Sequence, residues 1–402
     1  MENNKVKVSV FTCFCACLLT AVLTAAVILA LRVLPHLTKN GSYTAEDKLA
    51  EAARVIRNNF IGELDEAVMA DYAIDGMLES LGDRWSYYMT AEEAADYLKS
   101  MDNSYGGIGI VISETEGAAS VYKVYEHSPA GEAGVETGSR FLSVNGEDLR
   151  DLDKDAVSSR IRENIKTGHV ALTLLCPDGT EREYSLIPGE VYKEPVSYRL
   201  LPEGLGYIRL DNFEGRSADD AIAAIEELRA QDAAGLIFDM RENPGGQLSE
   251  LLKLLDYLLP EGKLFISRTI DGSEHIDYSD ADCVQLPMIV LINEDTYSAA
   301  EFFAAALREY GWAELIGAQT SGKGYAQITV DLHDGSAIHI SHIAYFTPNG
   351  VSLADTGLTP DFAVEMSAEE RSALYYGMLE PEDDPQLTAA ISTLAESAQF
   401  SS

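Results

Sequence analysis

An α/β core, with a smaller mainly-β domain inserted in it or preceding it and an N-terminal helical segment, is the fold class this sequence predicts. Three observations carry it. From residue 191 to 366, continuous apolar runs alternate with amphipathic stretches of helical period, the pattern of buried strands joined by crossover helices. Residues 101–190 instead show short alternating segments punctuated by glycine, which reads as hairpins. Residues 36–100 repeat their apolar positions at helical spacing.

The N-terminus comes first. Val8 to Leu31 carries no charge and is bracketed by Lys5 and Lys7 before and Arg32 after. That length is enough for a helix to cross the hydrocarbon core, whereas a cleaved signal has an apolar region of about 7–15 residues. Residues 1–7 are therefore expected to be a short cytoplasmic tail and 8–34 a single transmembrane anchor. The rest of the chain would be an extracytoplasmic body at the cell membrane. The basic flanks nearly balance, so charge orients the span only weakly.

In the helical segment Leu49, Ala53, Ile56 and Phe60 share one face, and Val68, Tyr72, Met77 and Leu81 continue the spacing. This reads as a packing or dimerising surface with no chemistry of its own. The body that follows is acidic: 29 Lys+Arg against 66 Asp+Glu over 402 residues leave a net charge of -37. Such a surface repels phosphate backbones and excludes nucleic acid as a partner. Of five cysteines, Cys13, Cys15 and Cys17 lie in the apolar segment. Cys176 and Cys283 are left either to bridge or to stay free, with no metal-ligand spacing.

In the glycine-punctuated region, Tyr105-Gly106-Gly107-Ile108-Gly109-Ile110 runs from a loop into a strand. Ser128-Pro129-Ala130-Gly131-Glu132-Ala133-Gly134-Val135-Glu136-Thr137-Gly138 and Val144-Asn145-Gly146 follow. This segment resembles a PDZ domain, departing from the pattern at Ser139, where that family usually has an acid. The resemblance implies that the backbone of Gly106, Gly107, Ile108 and Gly109 holds the C-terminal carboxylate of a protein or peptide. The peptide would add as a strand to the sheet edge.

Within the core, Gly206–Leu210, Leu236–Asp239 and Pro287–Ile292 read as strands, the latter two buried on both faces. A helix is expected to start with Ser217 as its cap and Asp220 in the capping-box position. Ser298 follows the third apolar run and opens a helix to Tyr310, with Phe302, Phe303, Ala306 and Leu307 inward and Gly311 past its end. A hydroxyl at a helix start sits where unpaired N–H groups favour negative charge, which makes the Ala299 N–H a natural oxyanion donor. A second donor is available where Asp239-Met240-Arg241-Glu242-Asn243-Pro244 ends in Gly245-Gly246, whose backbone can approach a substrate closely. Lys323, between Gly322 and Gly324, could deprotonate Ser298 if burial lowered its pKa from about 10.4 to about 7. Gln327 could orient the amine without adding charge. The tail, 367–402, has helical spacing and reads as a packing appendage.

Other readings are weaker. Gly317 to Lys323 fits the start of a phosphate-binding loop, but Gly324 stands where Ser or Thr must hold magnesium. None of the seven histidines lies in a metal-ligand pair, and no G-x-S-x-G elbow occurs. No metal or cofactor is expected.

The D-x-R-x-N-x-G-G element at Asp239–Gly246, S-A-x-E at Ser298–Glu301, G-K-G-x-x-Q at Gly322–Gln327 and Gly357-Leu358-Thr359-Pro360-Asp361 occur in order behind the PDZ-like segment. Together they resemble the carboxy-terminal processing peptidase family, over nearly everything after residue 40. The resemblance implies a crotonase-like core and a serine endopeptidase working through an acyl-enzyme. Ser298 would be its nucleophile, Lys323 its general base and Gln327 the residue positioning the lysine. Gly245, Gly246 and Ala299 would supply oxyanion donors, and Glu301 a structural acid. Thr296 and Tyr297 depart from the Ser and Ala common there. The rival from another class is a catalytically silent, membrane-tethered PDZ scaffold binding protein tails.

Overall fold

The computed structural model describes residues 43–115, 117–375 and 379–400, with positions 19, 20, 22–24 and 27. The expected tail and anchor, 1–34, otherwise lie outside the described residues. Among the described residues no helix is long and apolar enough to cross a membrane.

The chain forms two compact units, residues 1–72 and 73–402. In the first, helix Ala45–Asn59 begins at Thr44, whose side chain and that of Asp47 cap each other's backbone N–H. No residue of this helix is buried: Leu49, Ile56 and the following Phe60 are exposed. Arg57 holds Glu66 through two bonds of 2.6 and 2.7 Å.

In the second unit, strand Tyr87–Met89 pairs antiparallel with Ala337–His339, far along the chain. Helix Ala91–Met101 then leads into Ser104–Gly107, which pairs with Gly189–Tyr192. The β domain thus leaves and rejoins the core through one two-stranded stalk. It is an insertion, because a core strand precedes it.

The inserted domain has a strand path Ile110–Thr115, Ala118–Val124, Arg140–Val144, Val170–Leu175, Glu181–Leu186. Val170–Leu175 alternates buried and half-buried residues, as one-sided packing requires. Its inner face meets Val157 and Ile161 of helix Lys154–Ile165 in one apolar cluster. Ser139 is buried, and its hydroxyl donates to Glu136 O at 2.7 Å. The departure from an acid there is absorbed within a turn.

The core sheet runs Val196–Leu200, Gly206–Leu210, Leu236–Asp239, Met288–Ile292, Ala313–Gly317, Phe362–Ala363. The first pairing is antiparallel and the rest are parallel. Ile208, Phe238 and Val290 face helices Ser217–Ala230, Leu248–Leu258 and Ala299–Glu309. Tyr207, Ile237, Ile289 and Leu291 face Leu387, Ala390 and Leu394 of helix Pro385–Phe400. Both faces are covered, which explains the continuous apolar runs. The C-terminal helix is therefore the second covering layer of the sheet, more than the appendage its spacing suggested.

One expected cap differs. Arg216, not Ser217, occupies the N-cap, and the Ser217 hydroxyl is buried without a partner among the described residues. The Ala218 N–H instead donates to Glu250 at 2.9 Å, so a neighbouring helix supplies the cap. Cys176 and Cys283 are both free.

Candidate active site

Strand Met288–Ile292 delivers Ser298 through a turn that its own polar groups lock. Asn293 N–H donates to Thr296 Oγ1 at 3.0 Å, and that hydroxyl donates to Met240 O at 2.8 Å. Tyr297 N–H donates to Asn243 O at 3.1 Å. Thr296 thus keeps the buried hydroxyl that a serine would offer there. Ser298 itself has φ 58° and ψ −127°, a conformation that costs an L-residue about 1–3 kcal/mol. The locked turn and the helix after it hold the serine in that strained conformation.

The glycine pair wedges against this turn. A Cβ on Gly245, at φ +88°, would lie 2.7 Å from Ser298 Cβ and 2.8 Å from Ala299 N. Only glycine permits this approach. Gly245 N–H, one of the expected oxyanion donors, is engaged by Asn243 Oδ1 at 2.8 Å. Among the described residues, the N–H groups of Gly246 and Ala299 have no acceptor.

Lys323 stands on a loop fixed by the segment that follows strand Ala337–Phe346. Cβ atoms on Gly322 and Gly324 would meet Gly357 N at 2.8 Å and Ala354 Cβ at 2.4 Å. Thr320 Oγ1 accepts from Leu358 N–H at 2.7 Å, which gives the Gly357–Asp361 element its role.

Glu301, fully buried, joins the serine and lysine segments. Its carboxylate accepts from Ser298 N–H at 3.0 Å, Gly322 N–H at 2.8 Å, Lys323 N–H at 2.9 Å and the Thr320 hydroxyl. Burial pushes its pKa up against these bonds. Every partner is backbone or hydroxyl, so the carboxylate fixes both segments without holding the amine.

The amine lies over the Trp85 ring at 4.5 Å from its centroid, and at 5.9 Å from that of Tyr297. Among the described residues no hydrogen bond joins Nζ to Ser298 Oγ. Burial pushes the lysine pKa down to about 8, opposed by Asp83 and Glu301 and reinforced by Arg84. The buried Tyr345 hydroxyl donates to Lys323 O at 2.7 Å and lies 3.5 Å from Ser298 Oγ. Its single proton goes to the shorter bond.

Among the described residues no hydrogen bond joins Gln327 to the Lys323 amine. Gln327 Nε2 donates to Tyr325 O at 2.8 Å and Ser341 Oγ at 3.1 Å, beside an irregularity in strand register at Ala326/Gln327. Three residues that sequence reasoning missed stand near: Asp83, Trp85 and Tyr345. The Asp83–Ser86 turn, in a segment expected to hold no chemistry, had a local signal in Gly82-Asp83 between helical stretches. Tyr345 had none.

A cavity of about 50 Å³ beside Ser298 is lined by Gly246, Leu248, Leu251, Phe265, Phe302 and Tyr345, among others. A second groove, about 430 Å³, lies in the inserted domain between Gly106–Ile108, the strand Ile110–Thr115 and helix Lys154–Ile165. That strand ends the sheet path, so among the described residues its outer edge pairs with no further strand of that sheet.

An α/β sheet presenting a strained serine, combined with a peptide groove at a sheet edge, defines a class: a PDZ-containing serine-type endopeptidase. Residues 204–364 match peptidase family S41, 35–93 the activating protease CtpB N-terminal domain and 120–166 a PDZ domain. The carboxy-terminal processing protease CtpB of Bacillus subtilis is 29% identical over 328 residues, 80% of this chain and 68% of the relative. The carboxy-terminal-processing protease of Bartonella bacilliformis is 28% identical over 360 residues, 87% of this chain and 82% of the relative. Among solved structures, the photosystem II D1 C-terminal processing protease shares the fold at a TM-score of 0.50 and 24% identity, covering 86% and 92% of the two chains. The chain thus carries a family S41 peptidase region over residues 204–364 and is similar along most of its length to carboxy-terminal processing proteases.

Proposed function

We propose that the chain is a membrane-anchored endopeptidase whose PDZ-like domain takes protein C-termini and whose Ser298–Lys323 dyad cleaves peptide bonds. The observation that carries this reading is the Glu301 carboxylate, which ties the backbone of Ser298 to that of Lys323. Neutral Lys323 takes the Ser298 proton as Oγ attacks the scissile carbonyl. The resulting oxyanion is met by the N–H groups of Gly246 and Ala299. The ammonium then protonates the leaving amine, the C–N bond breaks, and water deacylates the serine with Lys323 again as base. Because Nζ rests on Trp85, turnover requires the side chain to move toward Ser298. Gln327 supports the strand beside the lysine loop in this arrangement.

Ile108, Ile110, Ile112, Ile161 and Ile165 line the peptide groove, so the accepted tail ends in an apolar residue. The core is read as crotonase-like. The uncharged segment 8–31 anchors the chain as a single span with its body outside the cell membrane, and the exposed apolar face of Ala45–Asn59 pairs with a second copy.

Ser298→Ala is the test, with an unstructured protein ending in an apolar residue as substrate. The variant is expected to lose about 10⁶-fold in kcat, and amidating the substrate's C-terminus to lower kcat/KM in the wild type. Hydrolysis persisting unchanged in Ser298→Ala sinks the dyad. A fall in neither tail comparison nor affinity sinks the PDZ role. Anchor and pairing are read together by vesicle flotation and sedimentation of the full chain against residues 43–402. The shorter chain should leave the vesicles and still sediment as a dimer. Vesicle binding retained, or a monomer, refutes the respective part.

A further inference from the structure

The turn at Gly82–Ser86 is built and docked with more bonds than a connector needs. Gly82 adopts φ +68°. Trp85 N–H and Ser86 Oγ both donate to the Asp83 carboxylate, at 3.1 and 2.6 Å. Ser86 Oγ accepts from Ser341 N–H at 3.0 Å, which fixes the turn to strand Ala337–Phe346. Arg84 Nη2 reaches Ser321 Oγ at 3.2 Å, two residues before the lysine. The indole of Trp85 also meets the Tyr297 ring, centroids 5.5 Å apart. The turn therefore touches both the serine's neighbour and the lysine's loop.

A groove of about 650 Å³ opens beside it, lined by Asp83, Arg84, Trp85, Gly322 and Gly324 among others. Lys323 is absent from that lining although both its neighbours belong to it. The half-buried indole lines that groove and lies 4.5 Å from Nζ, beside the half-buried lysine.

We propose that Trp85 is a positioning residue for the general base, its indole face seating the Lys323 amine and closing it off from water. The proposal rests on the reading of Lys323 as the base. The ring acts in two opposed ways. As a π-face it favours the ammonium. As a cover it removes water and favours the neutral amine. Burial is the larger influence on this lysine. The charged groups facing the amine are Asp83 and Arg84 on the turn and Glu301 at the helix start. His339, on the strand behind, is held below its usual range by its own burial and by the lysine's charge.

The experiment titrates the Lys323 amine directly, by competitive acetic anhydride labelling against pH with peptide mapping, alongside the pH profile of kcat/KM. In Trp85→Ala, water reaches the amine. Its midpoint is expected to rise from about 8 by about one unit or more. Activity near pH 7 should then fall about tenfold and recover in alkali. Trp85→Leu keeps the cover and removes the π-face, so its midpoint should fall. Trp85→Phe should return toward the wild type. An unmoved midpoint in both the alanine and leucine variants overturns the proposal, as does a pH-independent loss of activity with that midpoint unchanged. A moved midpoint with an unmoved kcat/KM profile overturns Lys323 as the base and leaves the seat standing.

Discussion

Lys323→Ala is expected to lower kcat by about 10⁴–10⁶-fold without lowering the melting temperature. A loss on this scale is expected because, among the described residues, the other titratable groups beside Ser298 are poorly suited to take its proton at neutral pH. Glu301 is occupied by backbone donors, and burial pushes the Tyr345 phenol far above its usual range. Lys323→Arg should be as inactive, since a guanidinium stays protonated throughout. The wild-type pH profile carries the sign. Burial dominates the lysine and holds it at about 8, below the 10.5 of an ordinary lysine. Below that value the amine is charged and accepts no proton, so kcat/KM should rise about tenfold per pH unit and level off above it. A flat profile from pH 6 to 9, or a lysine variant retaining a tenth of the activity, would refute the assignment.

Arg241→Ala is expected to destabilise the peptidase core by about 3–5 kcal/mol, read as a shift in the urea midpoint. Arg241 is 1% exposed and has carboxylates on two sides: Asp239 at 2.6 Å and Asp384 at 2.7 Å. Tyr207 donates a further hydrogen bond to Asp239, and Gln386 accepts from Arg241 at 3.1 Å. Removing the guanidinium takes the shared counter-charge from two buried carboxylates, one at the end of a central strand and one at the start of the C-terminal helix, and leaves Arg209, 3.9 Å from Asp239, as the remaining cation beside that pair among the described residues. That helix covers one whole face of the sheet, so its release exposes Ile237, Ile289 and Leu291. Activity should fall with stability, because Asn243 and the glycine pair continue the same strand end. Arg241→Met with Asp239→Asn and Asp384→Asn removes charge from both sides and should recover part of the loss. A shift below 1 kcal/mol in the alanine variant would mean that the cluster does not hold the tail.

Much of this was legible before any coordinates. The apolar runs Leu236–Phe238 and Pro287–Ile292 announce strands covered on both faces, and the sheet has both. The spacing of Phe302, Phe303, Ala306 and Leu307 announces the helix behind Ser298, and all four are buried. Glycines at 109, 245 and 246 mark places where the backbone must turn or come close. These are local signals, carried by the period of an element or the φ a turn demands, and one chain segment suffices to express them.

The tertiary structure decided the rest. Whether the β domain precedes or interrupts the core depended on Tyr87–Met89 pairing with a strand some 250 residues on. Ser217 looked like a cap until Glu250 took that place, and Gln327 looked like the lysine's partner until Ser341 and Tyr325 claimed its amide. Gly82-Asp83 marks a turn around Trp85 but not what its ring meets, and Tyr345 and Asp384 carry no pattern that announces them, since each acts through a contact with a residue remote in sequence. Periodicity reports which face of an element is buried. It does not report what lies across from that face, and that is where the lysine's seat and the tail's anchor were set.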